Sequence, residues 1–238
     1  FLDLRAMQPL IGFSLMCLLV TSMTLGAIYL VRLFAPSAAG SGIPNIEAIW
    51  RREIPVENNW AFLPVKFCSG LLSLSAGYAL GREGPIVQMG AYIGGLFGKL
   101  SKSASDQRTL IAGLSGAGLA VAFSAPMGGM LFALEELTRH AHTRLVIVSM
   151  VACATAVPVA QLLIGTGEVF PLPHIDQPQI PILLLLSLLG VASGLAGVLY
   201  NAAILRALNT STRSSPLTLW QRGVLVAVLP PLVLWHMP

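Results

Sequence analysis

The chain has 238 residues, of which 55% are hydrophobic and only 10% are charged, and its formal net charge is +4. Because soluble domains carry about 25% charged residues, this composition excludes an ordinary water-soluble domain. Lysine and arginine occur singly or in pairs rather than in a basic stripe, so the positive charge does not indicate nucleic-acid binding. The three cysteines all lie in apolar stretches, and their odd number disfavours a disulfide framework.

In chain order, long apolar runs predict helices that cross a lipid bilayer. The first run, residues 9–34, would form a helix of about 39 Å, enough to cross a hydrocarbon core of about 30 Å. Further runs lie at 61–80, at 145–166 and within 180–238. The polar linkers between the runs are short, so we expect residues 1–238 to form a single, all-α transmembrane domain.

The apolar segments within residues 40–137 are short and rich in glycine. A helix over 126–137 would reach only about 18 Å, too short to span the bilayer, so we expect it to be broken or re-entrant. Interrupted apolar segments of this kind are typical of the binding sites of transporters. Glycines at four-residue spacing predict close approach of helix backbones. They form two series, Gly77/Gly81 and Gly90/Gly94/Gly98.

Turns with a proline in the first helical turn recur at Gly40–Pro44, Gly81–Pro85 and Phe123–Pro126. A helix N-terminus carries about half a positive charge and several unpaired N–H donors. Two such ends that meet inside a membrane would hold an anion such as a halide without a full cation. The alternative is that these segments are ordinary turns between helices.

Glu83 is the charge with the strongest functional pattern, because it begins the apolar segment that follows the second turn. A carboxylate at membrane depth costs about 2.5–3.5 kcal/mol on insertion scales, a cost that the dipole of its own helix lowers. The carboxylate could occupy the anion site itself, compete with a transported anion and leave when protonated. The alternative is an interfacial ion pair between Arg82 and Glu83.

Four more charged residues stand out in apolar surroundings. Glu135 and Glu136 end the short segment 126–137, and consecutive helical positions point about 100° apart, so one of them can face the bundle interior. The alternative is a pair of solvated acids at a helix end. Glu47 and Lys66 are single charges that we interpret as a buried ion pair, since an unpaired buried charge is costly. Alternatively, both side chains snorkel to the interface.

Together these motifs resemble the CLC family of chloride channels and chloride/proton antiporters, in its bacterial antiporter branch. The resemblance covers residues 30–137. Beyond Arg144 it is only one of hydropathy. The matching motifs are Gly40–Pro44, Leu63-Pro64-Val65-Lys66-Phe67, Gly81–Pro85 with Val87-Gln88-x-Gly90, Gly116-Ala117-Gly118-Leu119-Ala120, Phe123-x-Ala125-Pro126 and Phe132-x-x-Glu135-Glu136.

The resemblance implies a role for each of these residues. Ser41 would bind the central chloride, Glu83 would be the gating and outer proton-transfer residue, and Glu136 would be the inner proton-transfer residue. Glu47 and Lys66 would be a buried structural ion pair. The selectivity filter would comprise Gly40, Ser41, Gly42, Ile43 and Pro44 together with Gly81, Arg82, Glu83, Gly84 and Pro85.

The resemblance also implies an architecture and a location. We expect broken helices in an inverted-repeat arrangement, with the filter-bearing helices of the first repeat at 40–137 and the truncated start of the second at 180–238. We expect a homodimer in the bacterial inner membrane that exchanges chloride for protons, with no enzymatic activity, metal or cofactor. Chloride is the transported ligand.

The chain departs from the family pattern at a few places. Asn45 and Ser124 replace a common Glu and Asn, with little expected effect. The first membrane helix and the second-half filter segment, with its chloride-binding tyrosine, have no counterpart. That filter segment is matched only weakly, by Val169-Phe170-Pro171-Leu172-Pro173. We therefore expect the N-terminal portion of a subunit.

Three alternative functions remain. A chloride channel of the same family is the nearest, although the acid at Glu136 favours an antiporter because family channels commonly lack it. Gly113-Leu114-Ser115-Gly116 matches the Gly-x-Ser-Gly pattern of rhomboid-like intramembrane serine proteases, but a nucleophilic serine requires a base. Of the histidines, only His236 lies in an apolar segment. A membrane scaffold without transport activity would not require the paired Gly/Pro turns.

Overall fold

The computed structural model describes residues 9–101, 103–165, 180–213 and 218–236. All regular elements within these ranges are helical, in agreement with the predicted all-α class. They are α1 (Pro9–Phe34), a 3-10 turn (Pro36–Ala38), α2 (Ile43–Trp50), α3 (Phe62–Ser75), α4 (Glu83–Gly98), α5 (Ala104–Phe123), α6 (Pro126–Leu131), a π-helix (Phe132–Thr138), α7 (Thr143–Ile164), α8 (Ile180–Arg213), α9 (Leu219–Ala227) and α10 (Leu229–His236).

The described residues fall into two compact units. One contains α1 to α7 together with residues 220–236, and the other contains α8. The candidate site lies entirely in the first unit. Helix α8 is a single apolar helix of 34 residues, and its described side chains are exposed at nearly every position. The weakly matching segment Val169–Pro173 lies outside the described residues.

In the part of the chain that the structure describes, three helices are long and apolar enough to cross a membrane, and they correspond to Ile11–Phe34, Thr143–Ile164 and Ile182–Asn209. The predicted helices at 9–34 and 145–166 correspond to α1 and α7. The prediction of a full-length span over 61–80 is wrong, because α3 ends at Ser75 after 14 residues. Gly77 adopts a left-handed conformation with φ +84° and turns the chain away from the helix axis.

Helices α4 and α5 pack backbone against backbone through glycine. A Cβ added to Gly94 would lie 2.5 Å from the carbonyl oxygen of Leu110, and one added to Gly118 would lie 2.7 Å from that of Ile86. Gly90 makes the same kind of contact with the Leu114 carbonyl. The four-residue glycine spacing in α4 therefore permits the close approach of helix backbones that the sequence predicts. The second predicted series is wrong, because Gly77 and Gly81 lie in the non-helical turn before α4.

The segment that begins at Pro126 changes its helical type partway. Helix α6 has only six residues, and the chain continues as a seven-residue π-helix over Phe132–Thr138. The Thr138 hydroxyl oxygen lies 3.0 Å from the Ala133 carbonyl oxygen. Arg139 then ends the segment in a left-handed conformation with φ +54°. The segment is therefore short, as the sequence predicts, but it is continuous and changes its helical type at Phe132 without a break.

The α4/α5 contact gives a direct test of backbone packing. We expect Gly94→Ala to destabilise the fold by about 1–3 kcal/mol, because its methyl group would overlap backbone atoms of α5 that cannot move aside alone. Gly70→Ala in α3 is the matched control, since a Cβ there would meet no atom within 4 Å. Unfolding by sodium dodecyl sulfate in mixed micelles measures both variants. Equal stability of the two variants would contradict this packing.

Candidate functional site

The first two glycine-proline turns of the sequence meet in the structure. A Cβ built on Gly84 would lie 2.9 Å from the carbonyl oxygen and 3.0 Å from the Cβ of Ser41. Only a residue without a side chain permits this approach. The segment 40–44, which leads into α2, and the segment 81–85, which leads into α4, therefore form a single site.

Both turns lead into a helix start whose first N–H groups have no side-chain cap. Helix α2 begins at Ile43 after Gly42, which has φ +86°, and α4 begins at Glu83 after Arg82. Their first turns therefore present donors and the positive end of each helix dipole to the space beside Ser41.

Lys66 fixes the direction of the first turn. Its side chain is only 3% exposed, and its Nζ donates to the carbonyl oxygens of Ala38 at 2.8 Å and Gly40 at 2.7 Å. Carbonyl and N–H groups of a trans peptide point in opposite directions. Because the Gly40 carbonyl faces Lys66, the N–H of Ser41 faces away from it, toward the open side of the turn.

The predicted ion pair between Glu47 and Lys66 is not formed. Glu47 Oε1 pairs with Arg51 Nη2 at 2.5 Å, one turn further along α2. Lys66 instead uses two backbone carbonyls, which bear partial negative charge and stabilise a buried ammonium without a carboxylate. The sequence suggested a pair because both charges lie in apolar surroundings, and it could not reveal that carbonyls face Lys66.

Two further amide side chains support the first turn, and the sequence analysis gave neither of them this role. Gln88 Nε2 donates to the carbonyl oxygen of Ser37 at 3.1 Å, and Asn45 Nδ2 donates to the same oxygen at 3.4 Å. The carboxamide of Gln88 also lies against Gly42, so that a Cβ at Gly42 would overlap it. The motif Val87-Gln88-x-Gly90 was the available signal, but spacing alone does not show its partner.

Glu57 anchors the neighbouring loop beside Ser37. Its Oε1 accepts hydrogen bonds from the N–H groups of Asn58 at 2.9 Å and Asn59 at 2.8 Å. Burial raises the pKa of the Glu57 carboxyl, but hydrogen bonds from the Ser37 hydroxyl and from these N–H groups outweigh burial and leave the pKa lowered. Glu57 is therefore ionised at neutral pH and ties the loop to the 3-10 turn that precedes Gly40–Pro44.

Glu83 occupies the first position of α4, and its carboxylate folds back against Gly81. The side chain is partly exposed. Among the described residues it forms no ion pair with Arg82 or with any other cation. The alternative of a simple Arg82–Glu83 pair is therefore absent from this conformation.

Glu135 and Glu136 lie in the π-helix, away from the two turns. Both are exposed, whereas the sequence analysis allowed one of them to face the bundle interior. The neighbouring Leu134 is buried with Leu145, and Trp50 at the far end of α2 packs against them. Leu134, which precedes the two acids, thus lies beside the C-terminal end of α2, whereas Ser41 precedes its N-terminal end.

The protease pattern at Gly113–Gly116 does not form a catalytic site in the described structure. Ser115 is fully buried, and its hydroxyl donates to the Ile111 carbonyl at 2.6 Å within its own helix. No described imidazole contacts it, and His142 stacks on Trp50 instead. Within the described ranges, no three His, Cys, Asp or Glu side chains converge as a metal site.

The support for the first turn yields a test of charge pairing. We expect Lys66→Met to lower stability by about 2 kcal/mol, because two desolvated carbonyls lose their donor. We expect Glu47→Gln to change stability by less than about 0.5 kcal/mol, as is usual for an exposed helical pair. Thermal unfolding in detergent measures both variants. Equal losses would instead support a direct Glu47–Lys66 pair.

Comparison with known proteins shows which protein family this chain matches. The family model described as "Voltage gated chloride channel" matches residues 17–237. The H(+)/Cl(-) exchange transporter ClcA of Vibrio cholerae is 39% identical over 180 residues, which cover 74% of this chain. The protein of the same name from Cronobacter sakazakii is 40% identical over 181 residues, again covering 74%.

A solved structure gives the same result in three dimensions. The crystal structure of a slow cyanobacterial Cl-/H+ antiporter superposes with a TM-score of 0.87 at 31% identity and covers 99% of this chain. The present chain spans 55% of that chain and 38% of the Vibrio and Cronobacter transporters.

Proposed function

Because the chain belongs to the voltage-gated chloride channel family, we propose that it forms part of a chloride/proton antiporter. The family matches the expectation from sequence, and its membrane-spanning, broken-helix fold agrees with the superposed antiporter. The names of the Vibrio and Cronobacter relatives support exchange rather than passive flow. We propose that the protein is a homodimer in a bacterial inner membrane.

The observation that carries the proposal is the contact between Gly84 and Ser41. It brings two uncapped helix starts to one point, where their N–H groups can replace part of the hydration shell of chloride. No Lys or Arg side chain would need to contact the anion, so binding would remain weak enough for rapid release. Ser41, an exposed residue, would contribute its hydroxyl.

Glu83 would couple the two ions by competition for this site. Its ionised carboxylate and a chloride ion both favour the same positive helix end, and they cannot occupy it together. Protonation removes the negative charge, so the side chain leaves and chloride enters. Glu136 would then exchange the proton with the inner side. Each chloride that passes therefore changes the protonation of Glu83, which links the two fluxes.

Replacement of the gating acid tests the mechanism. In proteoliposomes, we expect Glu83→Gln to retain chloride flux while proton movement falls to background, since the amide cannot carry a proton. The matched control is Glu47→Gln, which removes an acid paired with Arg51 outside the turns and should leave both fluxes unchanged. A pH electrode and a chloride electrode record the fluxes together. Proton pumping that persists in Glu83→Gln would refute the assigned role.

The inner acid can be tested against its own neighbour. We expect Glu136→Gln to lose proton coupling while chloride still passes, and Glu135→Gln to retain coupling. Both carboxylates are exposed in the same π-helix, so the comparison controls for charge and for local structure. Unchanged coupling in Glu136→Gln, or an equal loss in both variants, would move the inner proton-transfer role to another residue.

A chloride channel is the second candidate, because the matched family model carries that description. The discriminating measurement is proton movement driven by a chloride gradient. An antiporter moves protons uphill against their own gradient, whereas a channel does not. Failure of any chloride gradient to move protons in the unaltered protein would favour the channel.

A further inference from the structure

Gln88 is a buried polar side chain to which the proposed mechanism gives no task. It lies in the second turn of α4 and is 5% exposed, whereas Val87 and Ala91 beside it are apolar and equally buried. Burying an amide in an apolar helix is unfavourable unless its polar atoms find partners. The contacts of Gln88 must therefore explain why an amide is buried at this position.

Gln88 contacts two places in the chain around Ser41, the 3-10 turn Pro36–Ala38 and Gly42. Its Nε2 donates to the Ser37 carbonyl at 3.1 Å, and its carboxamide lies against Gly42 so closely that no side chain could be added there. Ser37 precedes Ser41 by four residues, and Gly42 follows it. Gln88 therefore contacts the chain on both sides of Ser41.

The carboxamide oxygen of Gln88, unlike its nitrogen, lacks a hydrogen bond in the described structure. This oxygen, Oε1, is buried. A hydrocarbon side chain of similar shape would fill the same space without this loss, so folding stability alone does not account for an amide at position 88. The donated hydrogen bond to Ser37 is the remaining advantage of the amide.

We propose that Gln88 is a positioning residue of the anion site, which helps to set how the segment that carries the Ser41 N–H lies against Gly84. Lys66 holds the carbonyls of Ala38 and Gly40, and Gln88 holds the carbonyl of Ser37. The two side chains together hold three of the four peptide planes between Ser37 and Ser41. The inference rests on the proposed function, because it assigns Gln88 an effect on chloride affinity.

The test separates affinity from stability. In the protein at its full natural length, we expect Gln88→Met to weaken chloride binding about three- to tenfold, the loss that one hydrogen bond accounts for. The melting temperature should stay the same or rise, because the unsatisfied oxygen is removed together with the bond. Isothermal titration with sodium chloride and thermal unfolding in the same detergent measure the two quantities.

Tyr92→Phe is the matched control. Tyr92 lies one helical turn after Gln88, is 6% exposed, and donates from its hydroxyl to the Asn59 carbonyl at 2.8 Å. The variant Tyr92→Phe therefore loses one hydrogen bond from a buried side chain to a carbonyl oxygen, and this bond lies outside the segment around Ser41. We expect a lower melting temperature with chloride affinity unchanged, the reverse of the result at Gln88.

Three outcomes would overturn the inference. They are an unchanged chloride affinity in Gln88→Met, a parallel loss of affinity and stability there, and a failure of this variant to fold, since the last two would make Gln88 a structural residue. Gln88→Glu provides a second check, because it keeps the shape, loses the donor and adds repulsion, and should bind chloride more weakly still. Absence of chloride binding in the unaltered protein would instead refute the proposed function itself.

Discussion

The close approach of Gly84 to Ser41 is the constraint on which the rest of the site depends. Gly84 lies in the first turn of α4 and Ser41 just before α2, so their contact brings the starts of the two helices together and leaves no room for a side chain at position 84. The backbone donors of both turns then face a common space. A glycine at this contact thus has a chemical consequence, because it lets main-chain dipoles act where a charged side chain would otherwise be required.

The position of Lys66 shows how a cation can support such a site without entering it. Its ammonium group lies behind the first turn and is occupied by two carbonyls. The negative ends of those peptide dipoles therefore face the cation, and the positive ends face the opposite side. An anion at Ser41 would meet N–H groups first and the full charge only at a distance. This ordering is compatible with selection for negative charge and with weak binding.

Much of this arrangement could be predicted from the residues, because it follows from local rules. Proline in the first helical turn, glycine before it and glycine at four-residue spacing in α4 each act within a few residues. The spacing rule failed at Gly77 and Gly81, since a helix must continue for spacing to matter and α3 had already ended. The partners of Lys66 and Gln88 could not be predicted, because they are carbonyls brought close by the tertiary fold and leave no trace in side-chain types.

The π-helix at Phe132–Thr138 has a consequence for comparisons within the family. A π-turn holds one residue more than an α-turn, so the segment accommodates one extra residue without lengthening the helix. Deleting one residue there would allow the segment to rewind as α-helix while the residues on either side keep their orientation. The same deletion in a regular α-helix would rotate all following positions by about 100°. A one-residue difference in length between this chain and a relative is therefore placed best between residues 132 and 138.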